Sequence, residues 1–349
     1  MTARDNLIRA YRFQGPERIP IHANVEGRAW AYYGADAVEW VMSRHPILFP
    51  GFRPGNERRP SFAPWRRRGT FTDSWGCVWH VPEDGITGAV KAPPLADWDA
   101  PRDLAIPDPA VENGWAPIDW ERLRDRAERR RRQADDEPFR LSLRHGHTFL
   151  TLEYLRGYEN LIFDMHDDDP RLWRLIEIIT KFNLAHQAKL LALGPDVFGL
   201  PEDLGLQNGP LLSPELFARF IAPSYRRYVA PIREAGTVVH MHSDGHVMAL
   251  AEQFIELGIE VLNIQDLVNG VETIREVFGG RVAIDLDIDR QNVTVRGSAT
   301  DAEDLVRREV EVLNRPDGGL SLGYDWGPPT PVENADAVMT AMETYGGYR

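Results

Sequence analysis

Apolar and polar positions alternate in a regular rhythm from about residue 139 to the C-terminus. Short apolar runs predict buried strands, and stretches with apolar residues every three or four positions predict helices. The predicted strands lie at 139–144, 197–200, 237–242, 260–264, 281–286 and 320–323, with an earlier one at 18–25. The predicted helices lie at 2–11, 170–193, 213–235, 246–257, 271–278 and 301–313.

Repeated strand–helix units of this length predict an α/β fold with a parallel sheet. The seven predicted strands are one fewer than a closed (β/α)8 TIM barrel requires, so we expect an eighth in the irregular N-terminal third. An open doubly wound sheet is less favoured because the chain has no Gly-x-Gly-x-x-Gly turn between a strand and a helix. We expect one domain over residues 1–349.

Residues 50–118 interrupt this rhythm and are rich in proline and tryptophan, with hairpin-like segments at 73–80 and 85–90. We interpret them as an insertion that covers one face of the domain. Two roles stay open for the aromatic side chains of the N-terminal third, which are a wall for a planar ligand or simple packing. These residues are Trp30, Tyr32, Tyr33, Trp75 and Trp79.

Composition narrows the class of protein. The chain has 349 residues, 43% of them hydrophobic, which is enough for a sizeable core. A net charge of -13 argues against bulk nucleic-acid binding, and the single cysteine, Cys77, excludes an internal disulfide. Without a membrane-length apolar run or a signal-peptide core, we expect a cytoplasmic enzyme with a small-molecule substrate and neither nucleic-acid nor membrane partners.

Polar side chains follow the predicted strands. The carboxyl ends of parallel barrel strands converge, so we expect these residues to line one pocket. Any one of them has a second interpretation, in which it only caps the following helix. In chain order the set comprises His22, Asn24, His145, His147, Glu202, Asp203, His242, Asp244, Gln265, Asp266, Asp287, Asp289, Tyr324 and Asp325.

Residues 238–246 contain the densest group of potentially catalytic side chains. Three histidines and an aspartate lie where a predicted strand is followed by a predicted helix. His242 and Asp244 are placed to ligate a divalent metal from one turn, with a third ligand from another strand. His240 points to the same side of the strand as His242 and has a supporting role in this interpretation. His246 falls in the first helical turn, where we expect it to be exposed.

Several segments, in this order and spacing, are similar to those of a known family. They lie at 73–79, 92–97, 155–161, 202–207, 212–217, 242–245, 257–263 and 323–334. With them the chain resembles the uroporphyrinogen decarboxylase superfamily, which includes decarboxylases and zinc-dependent methyltransferases that work with corrinoid proteins. The resemblance implies a (β/α)8 barrel with its site at the mouth, and dimers are common in the family.

Departures from the decarboxylases disfavour uroporphyrinogen as the substrate. Those enzymes bind their polycarboxylate substrate with paired arginines in an Arg-Gln-Ala-Gly-Arg-Tyr segment, where this chain reads Val-Glu-Gly-Arg-Ala-Trp at 25–30. Only Arg28 remains of that pair, and the Glu26 carboxylate beside it repels an acidic substrate. The C-terminal histidine of the decarboxylases corresponds to Tyr324.

The chain is nearer the methyltransferase-like branch, in which a His-x-Cys pair and a later cysteine hold zinc. His242 is kept, whereas Asp244 and Tyr324 stand at the two cysteine positions. Oxygen ligands make a bound metal harder, so polarising an oxygen-bearing substrate becomes more plausible than activating a thiol. The resemblance therefore favours a zinc or other divalent-metal enzyme that moves a methyl group between such a substrate and a corrinoid carried by a separate protein.

This hypothesis assigns the site residues as follows. The catalytic residues are His242, Asp244, Tyr324 and Asp203, and the metal ligands are drawn from His242, Asp244, Glu202 and Asp325. Substrate contacts are assigned to His22, Asn24, Arg28, His145, His147, Gln207 and Asp289. Two alternatives stay open, a metal-independent decarboxylase or lyase and a noncatalytic barrel that binds a tetrapyrrole or a protein partner.

Overall fold

The computed structural model describes residues 1–55, 62–99, 104–133 and 137–348. The chain divides into two compact units, of which the first joins Met1–Ala63 to Leu262–Arg349 and the second comprises Pro64–Val261. Each unit combines strands with helices that cover them. The single domain expected over residues 1–349 stays a prediction.

Ten strands are found in the described residues, and the parallel ones lie close to the predicted positions. In the first unit the order is β1-β10-β9, and in the second it is β5-β6-β7, with every neighbouring pair parallel. The strands are β1 (Ile21–Val25), β2 (Gly69–Thr72), β3 (Val78–Val81), β4 (Ala89–Ala92), β5 (Arg140–Ser142), β6 (Val197–Pro201), β7 (Val238–Ser243), β8 (Val261–Gln265), β9 (Ala283–Asp287) and β10 (Leu320–Trp326).

The helices alternate with the parallel strands as the sequence pattern predicts. They are α1 (Ala3–Tyr11), α2 (Gly27–Tyr32), α3 (Ala35–Arg44), α4 (Trp120–Gln133), α5 (Phe149–Arg156), α6 (Tyr158–Asp167), α7 (Pro170–Leu191), α8 (Pro214–Leu216), α9 (Ala222–Glu234), α10 (Ala251–Leu257), α11 (Asp266–Asn269), α12 (Val271–Phe278), α13 (Val293–Arg296), α14 (Ala299–Leu313) and α15 (Val332–Tyr345). Within the described residues, none of them has the length and apolar character of a membrane span.

Two predicted helices differ in detail from the observed ones. The segment predicted as one helix at 213–235 contains a π-helical turn, Phe217–Ile221, between α8 and α9. Pro223 has no N–H group to donate to the carbonyl of Arg219, so one hydrogen bond of a regular α-helix is missing at this point. The helix predicted at 246–257 begins later, with a 3₁₀ turn at Met248–Leu250 that leads into α10.

The N-terminal third lacks the expected eighth parallel strand among its described residues. After β1, the strands of this region form an antiparallel sheet in the order β2-β3-β4. Of the predicted insertion, stretches 56–61 and 100–103 lie outside the described residues. Trp75 and Trp79 are each 2% exposed, and Trp79 contacts the rings of Trp115 and Tyr154. These two tryptophans therefore pack the second unit.

The register of β5, β6 and β7 brings three chain segments together at one edge of the second unit. Ser142 pairs with Gly199, Gly199 with His240 and Pro201 with His242. A Cβ on Gly199 would lie 2.9 Å from the Cβ of Ser142, so this close approach of the strands requires glycine. The segments that leave the three strands then lie side by side.

Candidate functional site

Three polar side chains from these adjacent segments meet in the second unit. The Nε2 atom of His145 lies 3.2 Å from Oδ1 of Asp203, and Nε2 of His242 lies 3.4 Å from the same oxygen. One ligand atom from each residue lies within 4.8 Å of the others. The side chains are between 21% and 39% exposed, so solvent and small molecules reach them. We call this group the His–Asp–His cluster.

The carboxylate of Asp203 is the centre of this cluster. Its burial alone would raise its pKa, but hydrogen bonds from His145 and His242 and their positive charge hold the pKa far below its usual range. The backbone N–H of Asp244 also donates to Oδ1, at 3.1 Å. All three of these contacts reach Oδ1. Asp203 therefore offers an ionised oxygen to a ligand.

Asp244 stands at the edge of the cluster. Its Oδ1 lies 3.8 Å from Nε2 of His242, and its side chain is 43% exposed. The sequence analysis paired His242 with Asp244 as metal ligands. In the structure the two side chains are neighbours at this distance. Asp203 lies closer to His242 and also bridges it to His145.

Two loops that cross at glycine residues hold Asp203 and Asp244 in place. The N–H of His246 donates to the carbonyl of Leu206 at 2.7 Å, and the N–H of Leu204 donates to Oγ of Ser243 at 2.9 Å. Gly245 has φ +79°, a conformation that L-residues with side chains rarely adopt. Asp203 and Asp244 are therefore each adjacent to the point where the two loops cross, and these hydrogen bonds fix their positions.

Glu202, which the sequence analysis placed among the metal ligands, is enclosed. Its Oε1 accepts hydrogen bonds from the N–H groups of Thr148 and Leu150, and its Oε2 accepts one from the hydroxyl of Tyr225. Burial raises the pKa of this carboxyl. The side chain caps the first turn of α5 and is fully buried.

His147, predicted to contact substrate, is also enclosed. Only 1% of the residue is exposed, and its ring packs against Tyr225 and Tyr228. Its Nδ1 lies 2.7 Å from Oγ1 of Thr148. Burial, with smaller contributions from the charges of Arg144 and His145, lowers the pKa of His147 to about 3. The imidazole is therefore neutral at physiological pH.

The remaining predicted site residue of the second unit, Gln207, is exposed beside the crossing loops. Tyr154 was missed by the sequence reasoning. A Cβ on Gly146 would lie 3.5 Å from its ring, so the ring covers the turn that follows His145. Burial raises the pKa of Tyr154. The charge of Arg144 opposes this shift, and the Glu153, Asp203 and Glu202 carboxylates add to it. The sequence signal that could have found Tyr154 is its position in the second turn of α5, the helix that follows His145 and His147.

The other predicted site residues belong to the first unit. Arg28 forms an ion pair with Glu26 at 3.4 Å, and Tyr324 is buried, which raises the pKa of its hydroxyl. The Asp289 carboxylate accepts hydrogen bonds from the N–H groups at the start of α13. Asn24 and Asp325 are register partners on β1 and β10. His22 lies on β1 beside Asp285.

A sequence profile of the uroporphyrinogen decarboxylase (URO-D) family matches residues 76–345. The chain belongs to the URO-D family. A search of curated proteins found no match. The resemblance inferred from the sequence is therefore confirmed at the level of the family.

A solved structure confirms the fold class of this URO-D protein. A methyltransferase from Methanosarcina mazei is similar over 99% of this chain and 99% of its own, with a TM-score of 0.68 and 15% identity. At this identity the likeness concerns the fold, which is the expected (β/α)8 class. A B12-independent methionine synthase from Shewanella sp. W3-18-1, in complex with selenomethionine, is similar over 64% of this chain and 65% of its own, with a TM-score of 0.42 and 13% identity.

Proposed function

We propose that this protein is a metal-dependent methyltransferase that moves a methyl group between a small oxygen-bearing substrate and a corrinoid held by a separate protein. The observation that carries the proposal is the His–Asp–His cluster, whose three ligand atoms lie within 4.8 Å of one another. Methyltransferases that use a metal and a corrinoid partner occur in the superfamily that this chain resembles.

The donor set of the cluster fits a divalent metal. Two imidazoles and one carboxylate are a common catalytic zinc set, in which the fourth position is left for water or substrate. The low pKa of Asp203 keeps its carboxylate ionised, as a metal ligand must be. Glu202 is left out of the ligand set because its oxygens accept three hydrogen bonds from the protein. The ligands proposed are His145, Asp203 and His242.

A metal bound by nitrogen and oxygen would act as a Lewis acid that polarises an ether or hydroxyl oxygen. The two histidines hold Asp203 in one orientation, and the crossing loops fix Asp244 beside them. The half-exposed carboxylate of Asp244 is placed to accept a hydrogen bond from the substrate. Methyl transfer would leave the electron pair of the broken carbon–oxygen bond on the oxygen, which would take a proton from solvent, and the reduced corrinoid of the partner would supply the electron pair of the new bond to the methyl group.

Metal affinity tests the proposal directly. We expect purified protein to contain about one zinc or other divalent ion per chain by mass spectrometry, and chelated protein to rebind Zn²⁺ in a calorimeter. Asp203→Asn, His145→Gln and His242→Gln should each weaken binding roughly 100-fold or more. His166→Gln, at an exposed position on α6, is the matched control and should bind as the wild type does. Absence of stoichiometric metal, or unchanged binding by Asp203→Asn, would refute the proposal.

A metal-independent decarboxylase or lyase is the second candidate. It is favoured by the fact that Oδ1 of Asp203 already has three hydrogen-bonding neighbours, His145, His242 and the N–H of Asp244. A cluster stabilised in this way is able to steady a positively charged intermediate without a metal. Activity on a carboxylated substrate that survives exhaustive chelation would favour this candidate over methyl transfer.

A further inference from the structure

The first unit contains a second group of polar side chains, built independently of the His–Asp–His cluster. On the adjacent strands β1, β10 and β9, His22 is the register partner of Gly323, and Ser321 is the register partner of Asp285. The side chain of His22 is 48% exposed, whereas that of Asp285 is only 3% exposed. An accessible imidazole thus stands beside a buried carboxylate.

The contacts of Asp285 set its position. Oγ of Ser321 donates a hydrogen bond to Oδ1 of Asp285 at 2.6 Å, and Nδ2 of Asn263 donates to the main-chain oxygen of Asp285, also at 2.6 Å. Nδ1 of His22 lies 3.8 Å from the same Oδ1 atom. Asp285 therefore faces the Nδ1 side of the imidazole from a fixed place.

The space occupied by the imidazole depends on the absence of a side chain at position 323. A Cβ on Gly323 would lie 2.7 Å from Nε2 of His22 and 2.8 Å from its Cε1. Contacts this short force a neighbour to move, so glycine leaves room for the ring of His22 between the strands. The ring thus lies over Gly323 with Nδ1 toward Asp285, and about half of the side chain is exposed.

We propose that His22 is an acid–base residue, held with its hydrogen on Nδ1 by Asp285, whose bare Nε2 takes a proton from a hydroxyl group of a bound small molecule. A carboxylate beside one ring nitrogen fixes the hydrogen on that nitrogen and leaves the other as the acceptor. In the transfer, the hydroxyl hydrogen bonds to the lone pair of Nε2, and the electron pair of the O–H bond stays on the ligand oxygen. The resulting imidazolium is stabilised by the negative charge of Asp285.

Nitrogen-15 NMR of the histidine side chains tests this assignment without a substrate. At pH 8, where a free imidazole is neutral, we expect the His22 signals, identified by their loss in His22→Gln, to show a protonated Nδ1 and a bare Nε2. In Asp285→Asn the two tautomers should become mixed, while His166→Gln, at an exposed position on α6, should keep the wild-type pattern of the His22 signals. A wild-type protein with its hydrogen on Nε2 would overturn the proposal, even if Asp285→Asn failed to fold.

Diethyl pyrocarbonate, which modifies accessible imidazole nitrogens, provides a second readout. We expect the modification rate of His22 to fall at least about threefold in Asp285→Asn, because the carboxylate no longer directs the lone pair of Nε2 outward. His166 is the internal control, and its rate should be the same in both proteins. An unchanged rate for His22 in a folded Asp285→Asn variant would contradict the proposal. Both readouts are independent of metal binding at the His–Asp–His cluster.

Discussion

Gly205 and Gly245 cross with their backbones in contact, so that a Cβ on Gly205 would lie 2.6 Å from the carbonyl carbon of Gly245. The crossing lies between Asp203 on one loop and Asp244 on the other. Because backbone atoms leave no free space there, neither loop is able to shift without moving the other. The geometry of the His–Asp–His cluster therefore depends on two residues that have no side chain.

A methyl group at this crossing should damage both the fold and the site. We expect Gly205→Ala to reduce the free energy of unfolding by about 1–3 kcal/mol, as overpacking does, and to weaken Zn²⁺ binding several-fold. Urea unfolding and calorimetry measure the two effects. Gly209→Ala, on the same loop with nothing within 4 Å of its added Cβ, should change neither. Equal behaviour of the two variants would show that the crossing is not rigid.

His147 should make the protein sensitive to acid. Its pKa in the folded protein is about 3, below the roughly 6.5 of an unfolded chain, so between these values only the unfolded state takes up the proton. Its contribution to stability is therefore complete above pH 6.5 and falls as the pH drops towards 3. At pH 4.5 the loss should be on the order of 2–3 kcal/mol.

The variant His147→Gln isolates this contribution. Between pH 7 and pH 4.5 it should lose less stability than the wild type, by roughly the amount given above, in urea unfolding at each pH. Part of the pH dependence should remain, because burial also lowers the pKa of His186, to about 4. The exposed His166→Gln variant should follow the wild-type curve. A slope unchanged by His147→Gln would mean that this imidazole is protonated in the folded state.

The buried ion pair of Arg156 with Asp164 fastens the segment around Leu95 to α5 and α6. Nε of Arg156 lies 2.6 Å from Oδ2 of Asp164, and Nη1 donates to the carbonyl of Leu95 at 2.8 Å. Arg156→Met leaves the Asp164 carboxylate buried without its cation, so we expect a loss of about 3–5 kcal/mol in urea unfolding.

Two further variants test the explanation given for this loss. Arg156→Met combined with Asp164→Asn removes the uncompensated charge and should be more stable than Arg156→Met alone. Arg171→Ala removes an exposed ion pair with Asp169, and its unfolding midpoint should stay near that of the wild type. A single Arg156→Met variant as stable as Arg171→Ala would contradict the role assigned to the buried pair.

We expect Glu202 to stabilise the fold and not to bind the metal. In Glu202→Ala the N–H groups of Thr148 and Leu150 lose their buried acceptor, which should cost roughly 2–4 kcal/mol and loosen the start of α5. Glu202→Gln keeps an acceptor oxygen and should be clearly milder. Amide hydrogen exchange at Thr148 and Leu150 distinguishes the two. If Glu202→Ala kept full stability but lost Zn²⁺, the carboxylate would be a ligand instead.

The sequence predicted much of the fold because strands and helices leave their own periods in the pattern of apolar residues. The strands β5 to β10 lie close to the predicted segments, and α7 has the predicted proline in its first turn. The expected eighth parallel strand was not found among the described residues, because the strands after β1 in the N-terminal third form an antiparallel sheet. A short apolar run predicts a strand but does not indicate whether it pairs in a parallel or an antiparallel direction. The π-helical turn near Pro223 also depends on local hydrogen bonding that periodicity does not report.

The sequence alone determined that His145, Asp203 and His242 each stand near the end of a strand, and that the chain resembles the URO-D family. Only the tertiary structure decided which polar residues meet. His145 is half-buried and His147 enclosed, and Asp203 is accessible while its neighbour Glu202 is buried. Glu202 and Asp203 are successive residues, and Glu202 is the one held by α5 and α9 through Thr148, Leu150 and Tyr225. His145 and His147 are separated by a turn at Gly146, whose φ is +71°. Asp203, 58 residues beyond His145, became the centre of the site through the parallel register of β5 and β6.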